Sequence, residues 1–423
     1  MKRKYYIWII LAIALLFRLN AFHHLSSSQR KFMRGDAPYY HCLAKSILRG
    51  QYQISFEDIS DEAIKRRKEV LDAKIFFHTA VIDQPTNYWS PGYPLFLAGL
   101  YALFGIHFWI PALLGCIIGV LCCYMLWLIA SRLVNPTAGL ISAAPWAIHP
   151  IAVTKSPELE SETLGLLLLL VSVYLFLLWR DREGNLGPIK ALLLGVMLGM
   201  PFYVRSTSGL LVPIFAITLL LNPSWKRLAT ALLLCSSFIL ILIPWGIRNQ
   251  RSLGKFMVFE TRGVNVMLGE ISRKGYHPPR KNEFKAETEL EAWKAQKLIL
   301  LNTLQADPAI LLRVGWYHLR SWLFPYGKFA ELRTLFNWLF AAGVGLGIFL
   351  TRKNWQNTIP LCLFMALYTI TILFLMKGDE ARFRLPVEAM ALPFLSVALI
   401  EFYNWTVKRL NPIISKPKSG NKP

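Results

Sequence analysis

A run of about twenty apolar residues leaves a chain little choice. In lipid it must form a helix, because a helix satisfies its own backbone hydrogen bonds there. This chain of 423 residues contains eleven apolar runs. They lie at about 5–22, 91–105, 108–131, 138–153, 162–179, 189–204, 207–222, 228–247, 331–350, 358–376 and 386–405. Hydrophobic residues make up 54% of the chain and mean hydropathy is +0.40, above the range of most soluble domains. The expected fold is an all-α polytopic membrane protein. Lys2, Arg3 and Lys4 precede the first run, Arg18 interrupts it, and no small-residue cleavage site follows. The run therefore reads as a retained anchor and not as a cleaved signal peptide.

Charge sets how the runs cross. The net charge of +22 would suit a nucleic-acid binder, but the basic residues sit between apolar runs. That placement points to membrane lipids or a phosphorylated substrate and away from nucleic acid. Both ends are basic, the tail through Lys408, Arg409, Lys416, Lys418 and Lys422. Both are expected in the cytoplasm, so the number of crossings must be even. The run at 91–105, bounded by Pro91 and Gly105, falls short of the ~20 residues a spanning helix needs. It is expected to be a short or re-entrant helix, leaving about ten full crossings. This parity places Arg132, the RDREGN loop at 180–185, Lys226 with Arg227, and Arg352 with Lys353 inside. Outside it places the two long polar regions and the loops around Glu158–Glu162, Arg205 and Lys377–Arg384. If 91–105 crosses fully, the loops after it change sides.

The resulting organisation is a first transmembrane helix (1–22), a first extracytoplasmic loop (23–90), a transmembrane core (91–247), a second extracytoplasmic region (248–330), C-terminal transmembrane helices (331–405) and a basic cytoplasmic tail (406–423). The polar regions carry helical periodicity. At 61–77, Ile64, Leu71 and Ile75 share a face; at 286–306, Leu290, Trp293, Leu300 or Leu301, and Leu304 do; residues 308–324 form a third such segment. These amphipathic helices either lie in the membrane interface, which their aromatic content favours, or pack on one another as a small cap. Five of the six cysteines lie in apolar runs, and no CxxC or Cys/His cluster is present, so neither a disulfide framework nor a zinc site is expected.

Several charges on the outer face could carry chemistry. Asp36, in FMRGDAPYYHCLAKSIL, precedes a helix whose Ala37, Tyr40, Leu43, Ala44 and Ile47 share one side. It is either an N-cap accepting backbone N–H bonds or a reactive carboxylate. In SPELESETLG, Ser156 and Pro157 suggest a helix start with Glu158, Glu160 and Glu162 in its first turns. Glu162 adjoins a long apolar run, where an acid is costly unless used. Arg205, Arg248, Arg262, Arg382 and Arg384 lie on the same face. Arginines snorkel at helix ends routinely, yet several together opposite two carboxylates suggest an anion site.

These segments, taken in order, carry a resemblance. The acid after the first helix, SPGYPLFLAGLYALFG (90–105), PELESETLGLLLLL (157–170), PWGIRNQ (244–250), TRGVNVMLG (261–269) and ARFRLPVEAMALP (381–393) resemble the membrane glycosyltransferases of the C superfamily. The similar branch holds protein O-mannosyltransferases and the lipid A aminoarabinose transferase. The resemblance implies a polyprenyl-phosphate-sugar donor, an acceptor glycan, lipid or protein, and transfer on the extracytoplasmic face. It puts Asp36 at the catalytic acid's position, Glu162 near the second acidic position, and Arg248 at the arginine of the proline-tryptophan-arginine-asparagine signature. Arg205, Arg262, Arg382, Arg384 and Tyr93 complete the implied substrate-binding set. Where aminoarabinose transferases have a Glu-Lys pair before two prolines, this chain has Trp89-Ser90 before Pro91-Gly92. No metal ligand is therefore assigned, and dependence on a divalent metal is left open, with Glu162 either orienting the acceptor or holding a cation. A transporter or flippase for a lipid-linked sugar is the alternative, although neither internal repeats nor broken midplane helices are apparent. A scaffold of envelope assembly is a third reading.

Overall fold

The computed structural model describes residues 5–26, 35–55, 58, 83–181, 183–273, 286–325, 330–376 and 380–414. Its described residues are helical throughout, apart from loops and one isolated bridge between Gln53 and Pro85. In chain order the helices are α1 (Tyr6–Ser26), α2 (Ala37–Leu48), α3 (Gly92–Phe104), α4 (Trp109–Leu133), α5 (Pro136–Ala147), α6 (Pro150–Lys155), α7 (Glu162–Trp179), α8 (Pro188–Val204), α9 (Leu211–Leu220) and α10 (Trp225–Leu253). The second half adds α11 (Arg262–Arg273), α12 (Glu289–Ala306), α13 (Ile310–Leu323), α14 (Ala330–Leu350), α15 (Trp355–Leu375) and α16 (Leu385–Ile414).

Among the described residues seven helical segments are long and apolar enough to cross a membrane, those built on α1, α4, α7, α10, α14, α15 and α16; counting the bent pair α12–α13 as one span makes eight, short of the ten full crossings expected. The other four apolar runs form shorter helices. The 91–105 run becomes α3, 13 residues or ~20 Å at 1.5 Å per residue. It ends at Gly105 with φ +78°. The 138–153 run is split at Pro150, which starts α6 after α5 has closed.

Arg18 in the middle of α1 is fully buried. Its guanidinium donates to the carbonyls of Ala14 and Ala147, each at 3.0 Å, and to Ser156 Oγ at 3.1 Å. The charge that breaks the first apolar run thus satisfies the orphan carbonyl end of α5.

The polar loops gather at two ends of the bundle. At one end Arg132 reaches the Leu177 carbonyl (2.7 Å), Arg180 reaches Gln356 O (3.1 Å), and Arg227 reaches Glu183 O (2.7 Å). At the other end the C-termini of α1, α8, α10 and α15 meet the N-termini of α7 and α16. These are the two groups of loops that the parity of crossings separates.

Beside that second end, α11, α12 and α13 pack on each other through Leu268, Ile271, Leu300, Ile310 and Val314. The two segments expected at 286–306 and 308–324 are therefore helices that form a small cap with α11, bent 94° apart at their junction. Leu298, Leu312 and Trp316 stay exposed on the faces turned away from this contact. The helix expected at 61–77 and Arg34 fall outside the described residues.

Candidate functional site

A cleft of about 210 Å³ opens at the end of the bundle where α2, α7, α8, α15 and α11 of the cap converge. Asp36, Tyr40, Ser90, Glu162, Arg205, Ser206, Glu260 and Arg262 supply its polar lining.

Asp36 stands one residue before α2 with backbone already helical, and its side chain makes no cap hydrogen bond. The carboxylate turns instead to Arg262, whose Nη1 donates to Oδ2 at 2.9 Å. Asp36 thus holds the N-cap position of α2 without its side chain capping the helix. The turn before it needs glycine. Gly35 has φ +59°, and a Cβ there would stand 1.7 Å from Glu160 Oε1. Gly92 serves a different need, since a Cβ on it would come within 2.7 Å of the Tyr203 carbonyl and push α3 off α8.

The acidic segment departs from expectation. Residues 156–161 are irregular and α7 begins at Glu162, so Glu158 and Glu160 are not in a helical first turn. Their carboxylates find cations in place of a helix end. Lys155 contacts both, bridging Glu160 at 3.0 Å. Arg382 reaches Glu160 Oε2 at 3.0 Å, Glu162 Oε1 at 3.3 Å and Glu380 Oε2 at 2.7 Å. Arg205 donates to Glu162 Oε1 at 2.9 Å and to Ser161 Oγ at 3.3 Å.

Electrostatics follow from burial and these pairs. Burial works against the charge on Arg262, but the Asp36 carboxylate more than restores it, so its pKa is raised. The same opposition, with Glu162 as the winning partner, raises Arg205. For Glu160, burial first and then the neighbouring Glu162 push the carboxyl up to about 7, and Lys155 and Arg382 offset this only in part. Burial likewise raises the phenol of Tyr40, which donates to Ser161 Oγ at 3.3 Å.

Of the residues singled out in the sequence, Asp36, Glu162, Arg205 and Arg262 line the cleft together. Arg382 sits behind it, on a small adjoining cavity. Three lie elsewhere. Arg248 donates to the carbonyls of Thr86 and Tyr52, each at 2.8 Å, between the rings of Tyr52 and Trp245. It fixes a loop and does not face the cleft. Arg384 lies over the Trp322 ring and 3.7 Å from Glu388. Tyr93 is buried edge-on against Tyr40, at 4.9 Å between centroids.

The loop held by Arg248 matters indirectly. Glu289 accepts from Thr86 Oγ1 (2.5 Å), Asn87 N (2.9 Å) and Thr261 Oγ1 (2.8 Å). Thr261 lies between Glu260 and Arg262, so this network pins both cleft residues. Glu260 itself escaped the sequence reading, because it sits in a loop without periodicity; its only signal is its place two residues before Arg262. Among the described residues no three His, Cys, Asp or Glu side chains come together as a metal site.

Comparison with known proteins finds likeness in the fold and in one central segment. Residues 83–247, less than half of the chain, match the family model of the dolichyl-phosphate-mannose-protein mannosyltransferases. No curated protein matches the chain. Among solved structures, the oligosaccharyltransferase AglB from Archaeoglobus fulgidus, in complex with an inhibitory peptide and a dolichol-phosphate, is similar at 14% identity and TM-score 0.56, over 99% of this chain and 53% of that one. The same archaeal enzyme tethered to an acceptor peptide matches at 13% identity and TM-score 0.55, over 99% and 52%. A looser likeness, TM-score 0.40 at 11% identity over 99% of this chain and 82% of the other, is to ArnT from Cupriavidus metallidurans bound to undecaprenyl phosphate. The chain spans about half the length of the oligosaccharyltransferases it matches. The chain thus shares the fold of the archaeal oligosaccharyltransferase, and its central segment matches the family model of the dolichyl-phosphate-mannose-protein mannosyltransferases.

Proposed function

We propose that this protein transfers a sugar from a polyprenyl-phosphate donor to an acceptor hydroxyl, with inversion, at the extracytoplasmic end of the bundle. The observation that carries the reading is the pairing of Asp36 with Arg262 in a cleft that also holds Arg205 and Glu162. A donor of this kind needs a cation for its phosphate and a carboxylate for the attacking hydroxyl, and the cleft holds both within one ion pair.

In the proposed step the acceptor oxygen attacks the anomeric carbon. The new bond joins that carbon to the acceptor oxygen, the bond to the phosphate oxygen breaks, and the lipid phosphate leaves with the electron pair. Asp36 takes the hydroxyl proton; a base within hydrogen-bond reach of its substrate serves even without an unusual pKa. Arg262 and Arg205 stabilise the charge that grows on the departing phosphate, where donors already in place are worth the most. Each arginine is held by a carboxylate, so the phosphate has to compete for it. In the case of Arg262 that competition loosens the hold on Asp36. Glu162 and Glu160 keep Arg205 and Arg382 oriented. The dense set of arginines at the opposite end of the bundle supports the outward placement of the cleft through the positive-inside rule.

The test is transfer of radiolabelled sugar from polyprenyl-phosphate donors by the purified protein. Transfer by the wild type and its loss in Asp36→Asn, with donor binding intact, is the expected result. Near-full activity in Asp36→Asn would remove it as the base.

A further inference from the structure

Three carboxylates line the cleft, and one differs from the rest. Asp36 and Glu162 are each bound to an arginine. Glu260 has no cationic side chain within ion-pair distance among the described residues. Its Oε1 accepts from Ser206 Oγ at 3.1 Å and its Oε2 from Ser90 Oγ at 2.8 Å. We propose that Glu260, with Ser90 and Ser206, is the subsite that binds hydroxyl groups of the donor's sugar. This rests on the transferase reading given above and deepens it.

The chemistry is that of a carbohydrate contact. An ionised carboxylate offers about four acceptor positions, and two are taken by alcohol hydroxyls. Sugar hydroxyls can fill the remaining two or replace the serines with a like donor, so binding strands no buried partner. The serine oxygens, having donated to Glu260, keep lone pairs for further sugar hydroxyls. Placement fits as well. Glu260 is two residues from Arg262, with the buried Thr261 between them anchored to Glu289 and to the Asn87 carbonyl. A ligand whose phosphate meets Arg262 would therefore present its sugar to a carboxylate held on the same short, fixed segment. Ser90 and Ser206 approach from two other elements, just before α3 and just after α8, which closes the subsite from separate directions.

The test uses the full-length protein in detergent and measures its affinity for undecaprenyl phosphate and for the mannosyl, glucosyl and galactosyl esters of that lipid. The wild type should bind at least one ester more tightly than the bare phosphate. Glu260→Ala should weaken that ester by about tenfold or more, as expected for losing a hydrogen bond to a charged group, while changing affinity for bare undecaprenyl phosphate less than about twofold. Glu260→Gln, which keeps the shape and loses the charge, should fall between, and its normal binding of the bare lipid confirms its fold. The proposal is overturned if ester and bare lipid weaken equally, if neither weakens, or if only the acceptor's KM rises, which would assign the subsite to the acceptor. A wild type that binds no undecaprenyl lipid would instead sink the transferase reading itself.

Discussion

The arginines that gather around the cleft and those at the far end of the bundle are used differently. At the end away from the cleft, Arg132, Arg180 and Arg227 donate to backbone carbonyls and to an asparagine side chain, and among the described residues none of them forms a salt bridge. There the guanidinium closes helix C-termini and ties loops together, a fixed structural task. At the cleft end Arg205, Arg262 and Arg382 each face a carboxylate. An ion pair of that kind can be exchanged when another anion arrives, whereas a satisfied carbonyl has no reason to let go. The difference separates arginines that build the bundle from arginines placed to meet a charged ligand.

Substitutions should sharpen this contrast. The largest effect is expected from Asp36→Asn, which removes the proposed proton acceptor while keeping its size. Transfer should fall by about 10²–10⁴-fold, the usual contribution of a general base, with donor affinity unchanged in a direct binding assay. Next comes Arg262→Gln, for which loss of one preorganised donor should lower kcat by about 10²–10³-fold. Its counterpart at the other end, Arg132→Gln, should leave kcat within about twofold but lower the melting temperature, since it frees the Leu177 and Leu178 carbonyls at a loss of about 1–3 kcal/mol. Equal kinetic damage from both arginines would erase the distinction. Gly35→Ala should destabilise by about 1–3 kcal/mol for the left-handed backbone alone and displace Glu160 in addition, measured by thermal unfolding in detergent.

The smallest effect concerns pH. Glu160 carries a folded-state pKa of about 7, above its ordinary 4.5. The folded state therefore holds this proton more tightly than the unfolded chain. Its stabilising contribution is complete below about 4.5 and is lost as pH rises through about 7. Thermal stability should decline between pH 5 and pH 8, and Glu160→Gln should flatten that decline. An unchanged slope in the variant would remove Glu160 as its source.

The division into two ends was legible in the sequence, because loop charge and crossing parity are properties of composition and order. The short helix at 91–105 was legible too, from its length and its Pro91 and Gly105 boundaries. The cleft was only partly so. Asp36 and Glu162 stood out as acids beside apolar runs, but whether Asp36 capped a helix or faced a partner depended on Arg262, more than two hundred residues away. Arg248 was misleading for the same reason: its signature position says nothing about the carbonyls of Tyr52 and Thr86 that claim it. Glu158 and Glu160 looked like helix-start residues until Lys155 and Arg382 drew them into a loop. Glu260 gave no local sign beyond its nearness to Arg262, since its meaning comes from two serines on other elements.

The most direct measurement is the location of polyprenyl phosphate bound to the protein, by structure determination of the complex. The phosphate is expected in the cleft, within hydrogen-bond reach of Arg262 or Arg205, with Asp36 turned toward the position of the anomeric carbon. A phosphate seated among Arg132, Arg180 and Arg227, with the cleft pairs undisturbed, would contradict this expectation.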